Sequence, residues 1–136
     1  MTDAELKTWL RQIKTIAVVG LSDDESRPSH RVASSLKFWG YQIVPVNPGV
    51  ASALGERAYP DLASLPDGPD LVLIFRRPEF ATAIAAEVVR LDYPAIWFQP
   101  GTGTDAAVAA AEAAGLRTVS GPCLAKEYLR LFRDDL

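Results

Sequence analysis

The sequence predicts an α/β fold in which a doubly wound parallel sheet of about five strands forms one domain over residues 1–136. Short apolar runs alternate with segments of helical periodicity along the whole chain. The apolar runs are nearly continuous, which is typical of strands that helices cover on both faces. The chain shows no internal repeat and no linker-like stretch, and its 136 residues suffice for one sizeable core.

The elements begin with an amphipathic helix over residues 3–13, and this N-terminal segment, 1–14, is expected to pack on the rest of the domain. Ile16–Val19 is the first strand. Gly20 then leads through a polar loop to a helix that begins at Pro28, because proline suits the first turn of a helix. This order predicts a strand, a glycine turn and a helix start in direct succession.

The rest of the chain is predicted to contain the second strand, one irregular stretch and three further strand–helix units. Tyr41–Val46 is the second strand, and the turn signal Asn47-Pro48-Gly49 ends it. Residues 50–69 are predicted to form a loop with one short strand near Arg57–Tyr59 and a short helix near Leu62–Leu65. Three further strands, each followed by a helix, are expected at Asp70–Phe75, Ala95–Phe98 and Leu116–Val119.

Composition and charge exclude several classes of partner. The net charge of −3 does not indicate a general nucleic-acid surface, which needs a basic face. No apolar run approaches the ~20 residues that cross a membrane, and the acidic start lacks the core of a signal peptide. One cysteine and one histidine make a structural metal site unexpected. We therefore expect a cytoplasmic protein with no metal, no nucleic-acid partner and no membrane partner.

Five loops are expected to converge at the carboxyl ends of the strands, where parallel sheets bind their ligands. The first of them, Gly20–Arg27, places backbone N–H groups at a helix start, which attracts a phosphate or another anion. The amides near Leu21 and Ser22, with the side chains of Ser22 and Arg27, could hold it. The alternative is that Gly20 only permits close strand–helix packing and that Arg27 is solvated.

Arg76 and Arg77 follow a central strand and face the same crevice, where a guanidinium can pair bidentately with a phosphate. An ion pair with a protein carboxylate is the alternative for either arginine. Asn47 and Gln99 place amide side chains at the same edge, although both also suit ordinary turns.

The first loop does not carry a dinucleotide fingerprint, because Gly20 is followed by no second or third glycine at the required spacing. Asn47 and Pro48 stand where an acidic residue would bind the ribose of NAD. An NAD(P)-dependent oxidoreductase, a nucleotide-sugar enzyme or another nucleotide-dependent enzyme is therefore an alternative and not the leading interpretation.

Cys123 lies at the start of the last helix, where the helix dipole favours a thiolate. His30 is the only histidine, and no Cys-His or Ser-His-Asp order in the sequence points to a nucleophilic enzyme. We therefore name no catalytic residue. A redox-regulated role for Cys123 stays open as an alternative to a buried or merely exposed thiol.

Several segments resemble the small stand-alone CoA-binding proteins, which are similar to the CoA-binding domain of the succinyl-CoA synthetase alpha subunit. The resemblance covers nearly the whole chain, from about Leu6 to Phe132. Its motifs are I-A-V-V-G-L-S-(x)4-R-P-S at 16–29, Y-(x)3-P-V-N-P at 41–48, G-E at 55–56, D-L-V-L-I-F-R-R at 70–77, W-F-Q at 97–99 and C-(x)3-E at 123–127.

The resemblance implies a Rossmann-like domain that binds coenzyme A or an acyl-CoA and has no catalytic centre of its own. Matching positions then acquire expected roles. Gly20, Leu21 and Ser22 would face the phosphates, with Arg27 and Pro28 at the helix start. The adenosine side would be bordered by Val46, Asn47 and Pro48, and the nucleotide or the pantetheine arm would contact Phe75 and Arg76. Gln99 would lie near the pantetheine, in a groove that Leu21, Phe75 and Phe98 could help to line.

Two departures from the family pattern fall around the cysteine. Many members have Asp-Arg before it, whereas this chain has Gly121-Pro122, and many have histidine where this chain has Tyr128. Roles that depend on those side chains are therefore not transferred. Cys123 could instead form a mixed disulfide with the CoA thiol. Trp9 on the N-terminal helix could cover an interface in a homodimer.

Overall fold

A computed structural model describes all 136 residues, and it confirms the α/β class. The five-stranded parallel sheet consists of β1 (Thr15–Val19), β2 (Gln42–Val46), β5 (Leu71–Ile74), β6 (Ala95–Phe98) and β7 (Arg117–Ser120). Their spatial order is β2-β1-β5-β6-β7. The chain therefore runs outward from β1 to β2 and returns to the other side of β1, which makes the β1–β5 boundary the topological switch point.

Five α-helices cover the sheet, and most are preceded by a recognisable start signal. They are α1 (Asp3–Gln12), α2 (Pro28–Phe38), α3 (Ala81–Arg90), α4 (Asp105–Ala113) and α5 (Leu124–Phe132). The Thr2 hydroxyl accepts the N–H of Glu5 at the start of α1, and Thr104 accepts the N–H of Ala107 at the start of α4. A 3₁₀ turn, Pro78–Phe80, precedes α3, so the α-helix itself begins slightly later than Pro78.

Alternate strand residues pack into two separate cores, which explains why the three central strands, β1, β5 and β6, are almost entirely apolar. In β1, Ile16 and Val18 pack among residues of α1, α2 and α5, whereas Ala17 and Val19 pack among residues of α3 and α4. Residues of β5 and β6 divide in the same alternating way. The sheet is thus a middle layer with three helices on one face and two on the other.

The irregular stretch contains a small hairpin, of which the sequence predicted the second strand, near Arg57–Tyr59, but not the first strand or the pairing. Ser52–Ala53 (β3) pairs antiparallel with Glu56–Arg57 (β4). The turn places Leu54 at φ 56° and Gly55 at φ 76°. A leucine is uncommon in that region, so the turn lacks the dipeptides that usually identify a hairpin in a sequence. Tyr59 makes a single parallel bridge to Val46, and the expected short helix is the 3₁₀ turn Leu62–Ser64.

Candidate functional site

The register of the sheet brings the predicted loops to one edge. Val19 is paired with Val46 on one side and with Ile74 on the other. Ile74 is paired in turn with Phe98, and Phe98 with Ser120. The carboxyl ends of all five strands are therefore level, and the loops that follow them form one continuous rim.

A cleft of about 580 Å³ opens at this rim between the first turns of α2 and α5. It is bordered below by the segments that follow β5 and β6. Six of the residues singled out from the sequence line it: Pro28, Phe75, Arg76, Arg77, Gln99 and Cys123. The geometry thus joins residues that lie almost a hundred positions apart in the chain.

A smaller cleft of about 170 Å³ lies on the α3 side of the same rim. Val46 and Pro48 line it, together with the apolar side chains of Leu62 and Ile84. Arg76 lines both clefts. Its guanidinium carbon lies 4.3 Å from the centre of the Phe80 ring, a cation–π distance that holds this arginine between the two spaces.

Gly20 brings the first loop into direct contact with the loop that carries Arg76. Its φ is +89°, and a Cβ at this position would lie 2.8 Å from the Phe75 carbonyl oxygen and 3.2 Å from Arg76 Cδ. A side chain would therefore be strained by the backbone and would collide with the neighbouring main chain. This glycine is required for the close approach of the two loops at the switch point.

Internal hydrogen bonds order the rest of the first loop. The Ser22 N–H donates to Ser29 Oγ over 3.1 Å, and Ser22 Oγ accepts the N–H of Asp24. Asp24 accepts the Ser26 hydroxyl and the Ser26 N–H, and these bonds, the side-chain one first, lower the pKa of Asp24. The Ser22 amide is therefore occupied. The Ser22 hydroxyl and the exposed Arg27 guanidinium, 4.0 Å from Asp24, remain as groups that could reach an anion.

Asn47 connects the first loop to the second. Its Nδ2 donates to the Leu21 carbonyl over 3.1 Å, and its Oδ1 accepts the Gly49 N–H over 2.8 Å. Both ends of the amide are therefore engaged within the protein. The Leu21 side chain is fully buried in the core, as is that of Phe98, so neither can line the groove as the sequence reasoning expected.

Gln99 and Trp97 on β6 position the start of α5. Gln99 Nε2 donates to Cys123 Sγ over 3.3 Å, and Gln99 Oε1 accepts the Leu124 N–H over 2.9 Å. Trp97 Nε1 donates to the Pro122 carbonyl over 2.9 Å. The Gly121-Pro122 segment that departs from the family pattern is therefore anchored through its backbone, and Cys123 is held at the cleft, half-buried.

The cleft has a cationic lining. Arg77 pairs with Glu79 over 2.9 Å, but Arg31, Arg76 and Lys126 have no carboxylate within 4.0 Å. No residue that lines the cleft is acidic. Arg31 and Lys126 were not predicted from the sequence, although the helical spacing from Arg27 and from Cys123 placed each near the rim. Such a lining favours a ligand with negative charge.

The fold and the rim together define a Rossmann-like α/β domain with a basic cleft and a mainly apolar one at the switch point of its parallel sheet, where such sheets bind their ligands. A family model described as a CoA binding domain matches residues 14–128, and the chain belongs to this family. None of its helices combines the length and the apolar character that a membrane span requires.

Three proteins illustrate the similarity. The YneT protein of Bacillus subtilis is 39% identical over 122 residues, which cover 89% of this chain and 90% of that protein. A solved protein from Thermus thermophilus is 37% identical with a TM-score of 0.93, over 97% of this chain and all (100%) of that one. An acetate–CoA ligase (ADP-forming) II of Archaeoglobus fulgidus is 30% identical over 76 residues, covering 54% of this chain and only 11% of the ligase.

Proposed function

We propose that this protein binds coenzyme A or an acyl-CoA across both clefts at the rim, and that it has no catalytic centre of its own. The adenosine lies in the smaller cleft beside Val46 and Pro48, and the pantetheine arm lies in the larger cleft towards Cys123. The phosphates cross the β1–β5 boundary near Gly20 and Arg76. The observation that carries the proposal is the position of Arg76, which lines both clefts and has no carboxylate partner.

The chemistry of the ligand matches the chemistry of the rim. Coenzyme A joins an aromatic base and a charged pyrophosphate to a long neutral arm. The smaller cleft has apolar walls that suit the base. The unpaired Arg76 guanidinium lies where the pyrophosphate would cross from this cleft to the larger one. The family match and the similarity to part of a CoA ligase support this choice over NAD. Asn47 also stands, fully engaged, where an NAD site would have a carboxylate.

The composition of the larger cleft supports a binding role without catalysis. Its lining contains neither histidine nor carboxylate, so Cys123 has no general base beside it among those residues. Gln99, the polar group that contacts the sulfur, is a neutral amide. The residues present can position a thiol or a thioester, and the lining offers no histidine or carboxylate as a general base.

Native mass spectrometry of the purified protein tests the proposal directly. We expect a mass increment that denaturation releases as CoA or an acyl-CoA. If the protein is empty, calorimetric titration with CoA, NADH and ATP follows, and we expect heat from CoA at micromolar concentration and none from NADH. Failure of CoA to bind at millimolar concentration would refute the assignment of the rim.

A redox role is a second candidate, because Cys123 is half-buried in the cleft that receives the thiol end of the ligand. A disulfide of CoA with a second thiol would supply the oxidised sulfur. The Cys123 thiolate attacks the CoA sulfur, the S–S bond breaks, and the second thiol leaves as a thiolate that takes up the proton. Incubation with CoA disulfide should then add one CoA mass that reductant removes. The same adduct on Cys123→Ser would exclude this role.

A further inference from the structure

The larger cleft contains more positive charge than the neutral arm of coenzyme A requires. Arg31 on α2 and Lys126 on α5 face this cleft from its two sides, and neither has a carboxylate within 4.0 Å. Arg31 donates only to the Ser26 carbonyl, which leaves most of its N–H groups free. Arg76 already lies at the crossing between the clefts, where the phosphates of the proposed ligand would be.

Lys126 lies at the end of the cleft that holds Cys123, whereas Arg31 lines the cleft beside the first loop, where it donates to the Ser26 carbonyl. Lys126 follows Cys123 by three residues, so the two side chains emerge on the same face of the α5 start. Arg31 lines the same space from α2, on the opposite side of the sheet from the α3 cleft. Neither Arg31 nor Lys126 lines the smaller cleft, where the adenosine would bind.

We infer that the physiological ligand is an acyl-CoA whose acyl group ends in a carboxylate, that is, a dicarboxylic acyl thioester, and that Lys126 and Arg31 bind this carboxylate. This inference rests on the proposed function. A pantetheine arm and a plain aliphatic acyl group contain no anion, so they would leave both of these exposed cations without a charged partner. A terminal carboxylate would accept charge-assisted hydrogen bonds from both helices and close the cleft across its mouth.

Two stable thioethers of CoA provide a matched pair of probes. Carboxypropyl-CoA and carbamoylpropyl-CoA have nearly the same shape and differ by one negative charge. Calorimetry on the unmodified protein should show about tenfold tighter binding of the carboxylate, the scale of one charged hydrogen bond. Equal affinities for the two thioethers, with CoA itself still binding, would overturn the inference and leave the proposed function intact.

Variants identify the groups responsible. Lys126→Met should remove most of the preference and leave the affinity for carbamoylpropyl-CoA within about twofold, and Arg31→Met should act in the same direction. Lys14→Met is the control, because it removes the same charge at the opposite edge of the sheet, and it should retain the preference. If Lys126→Met weakens both thioethers equally, Lys126 binds a phosphate and the inference fails. If CoA and both thioethers fail to bind, the proposed function fails as well.

Discussion

The side-chain amide of Gln99 spans the gap between Cys123 and the first backbone N–H of α5. It donates to the Cys123 sulfur over 3.3 Å and accepts from Leu124 over 2.9 Å. Gln99 is only 4% exposed, so water cannot replace these bonds. The strand that ends at Phe98 thereby fixes both the last helix and the one cysteine. This arrangement makes Gln99 a positioning residue of the cleft more than a free ligand-binding group.

Replacement of Gln99 by leucine should lower the free energy of unfolding by about 1–3 kcal/mol, because the buried Leu124 N–H loses its acceptor while the side-chain volume is largely kept. Urea denaturation followed by circular dichroism measures this loss. Gln12→Leu is the matched control, since Gln12 is exposed, and it should stay within about 0.5 kcal/mol of the unmodified protein. Equal stabilities of the two variants would show that the Gln99 bonds contribute nothing.

The sequence was most informative where apolar runs were bounded by clear turn and helix-start residues. The central strands of the main sheet were predicted because both of their faces are buried, which leaves a continuous apolar run such as Leu71–Ile74. A short strand was predicted near Arg57, but its pairing with β3 escaped prediction because both strands have two residues each and the turn uses Leu54 at a positive φ. Tertiary contacts stabilise such a turn, and no local residue pattern identifies it in the sequence.

The position of the rim could be predicted from the sequence, but the roles of several of its side chains could not. Loop positions follow from topology, so the expectation that Arg76 and Cys123 would share a cleft depended only on the parallel order of the strands. Whether a polar side chain points to ligand or to protein depends on neighbours distant in sequence. Asn47 and Gln99 were therefore ambiguous until their partners, Leu21 and Leu124, were in view.

Arg76→Ala should weaken CoA binding by about 1–3 kcal/mol, roughly fivefold to 150-fold in dissociation constant, because an unpaired guanidinium at the crossing of the two clefts is lost. Calorimetric titration with CoA gives the value. Lys14→Ala controls for net charge, since Lys14 is exposed beside β1 at the amino ends of the strands and lines neither cleft. An unchanged dissociation constant for Arg76→Ala would remove this residue from the proposed site.

Gly20→Ala tests the contact between the first loop and the loop after β5, which carries Arg76. The change introduces a Cβ 2.8 Å from the Phe75 carbonyl oxygen at a φ of +89°. Gly115→Ala introduces the same methyl group at a φ of +86° with no atom within 4 Å, so it carries the backbone strain alone. Gly115→Ala should cost about 1–2 kcal/mol of stability, and Gly20→Ala should cost about 1–3 kcal/mol more.

Thermal or urea unfolding of both glycine variants measures the difference, and CoA titration adds a functional comparison. Gly115 closes α4, outside both clefts, so Gly115→Ala should bind CoA normally in its folded state. Gly20→Ala must displace the Phe75–Arg76 main chain and should bind more weakly. Two variants with the same stability would mean that the loop relaxes without cost, against the close approach described for Gly20.

Tyr41 predicts how stability depends on alkaline pH. Its hydroxyl donates to the Leu10 carbonyl over 2.6 Å, and burial, with a smaller effect of the nearby Tyr128, raises the pKa of Tyr41 above its ordinary value near 10. At a pH between the pKa of Tyr41 in the unfolded chain and its raised pKa in the folded protein, the unfolded chain has lost the phenolic proton and the folded protein has kept it. The unfolded state then binds fewer protons, so the free energy of unfolding falls as the pH rises. Burial raises the pKa of Tyr93 and Tyr128 in the same direction.

Tyr41→Phe separates the hydrogen bond from the titration. At neutral pH the variant should lose about 0.5–1.5 kcal/mol of stability, because the Leu10 carbonyl loses its donor while the ring is kept. Above about pH 10 its stability should decline less steeply than that of the unmodified protein, because phenylalanine has no proton to lose. Urea titrations from neutral to alkaline pH therefore give two curves that converge. Parallel curves would mean that Tyr41 ionises as readily in the folded protein as in the unfolded chain.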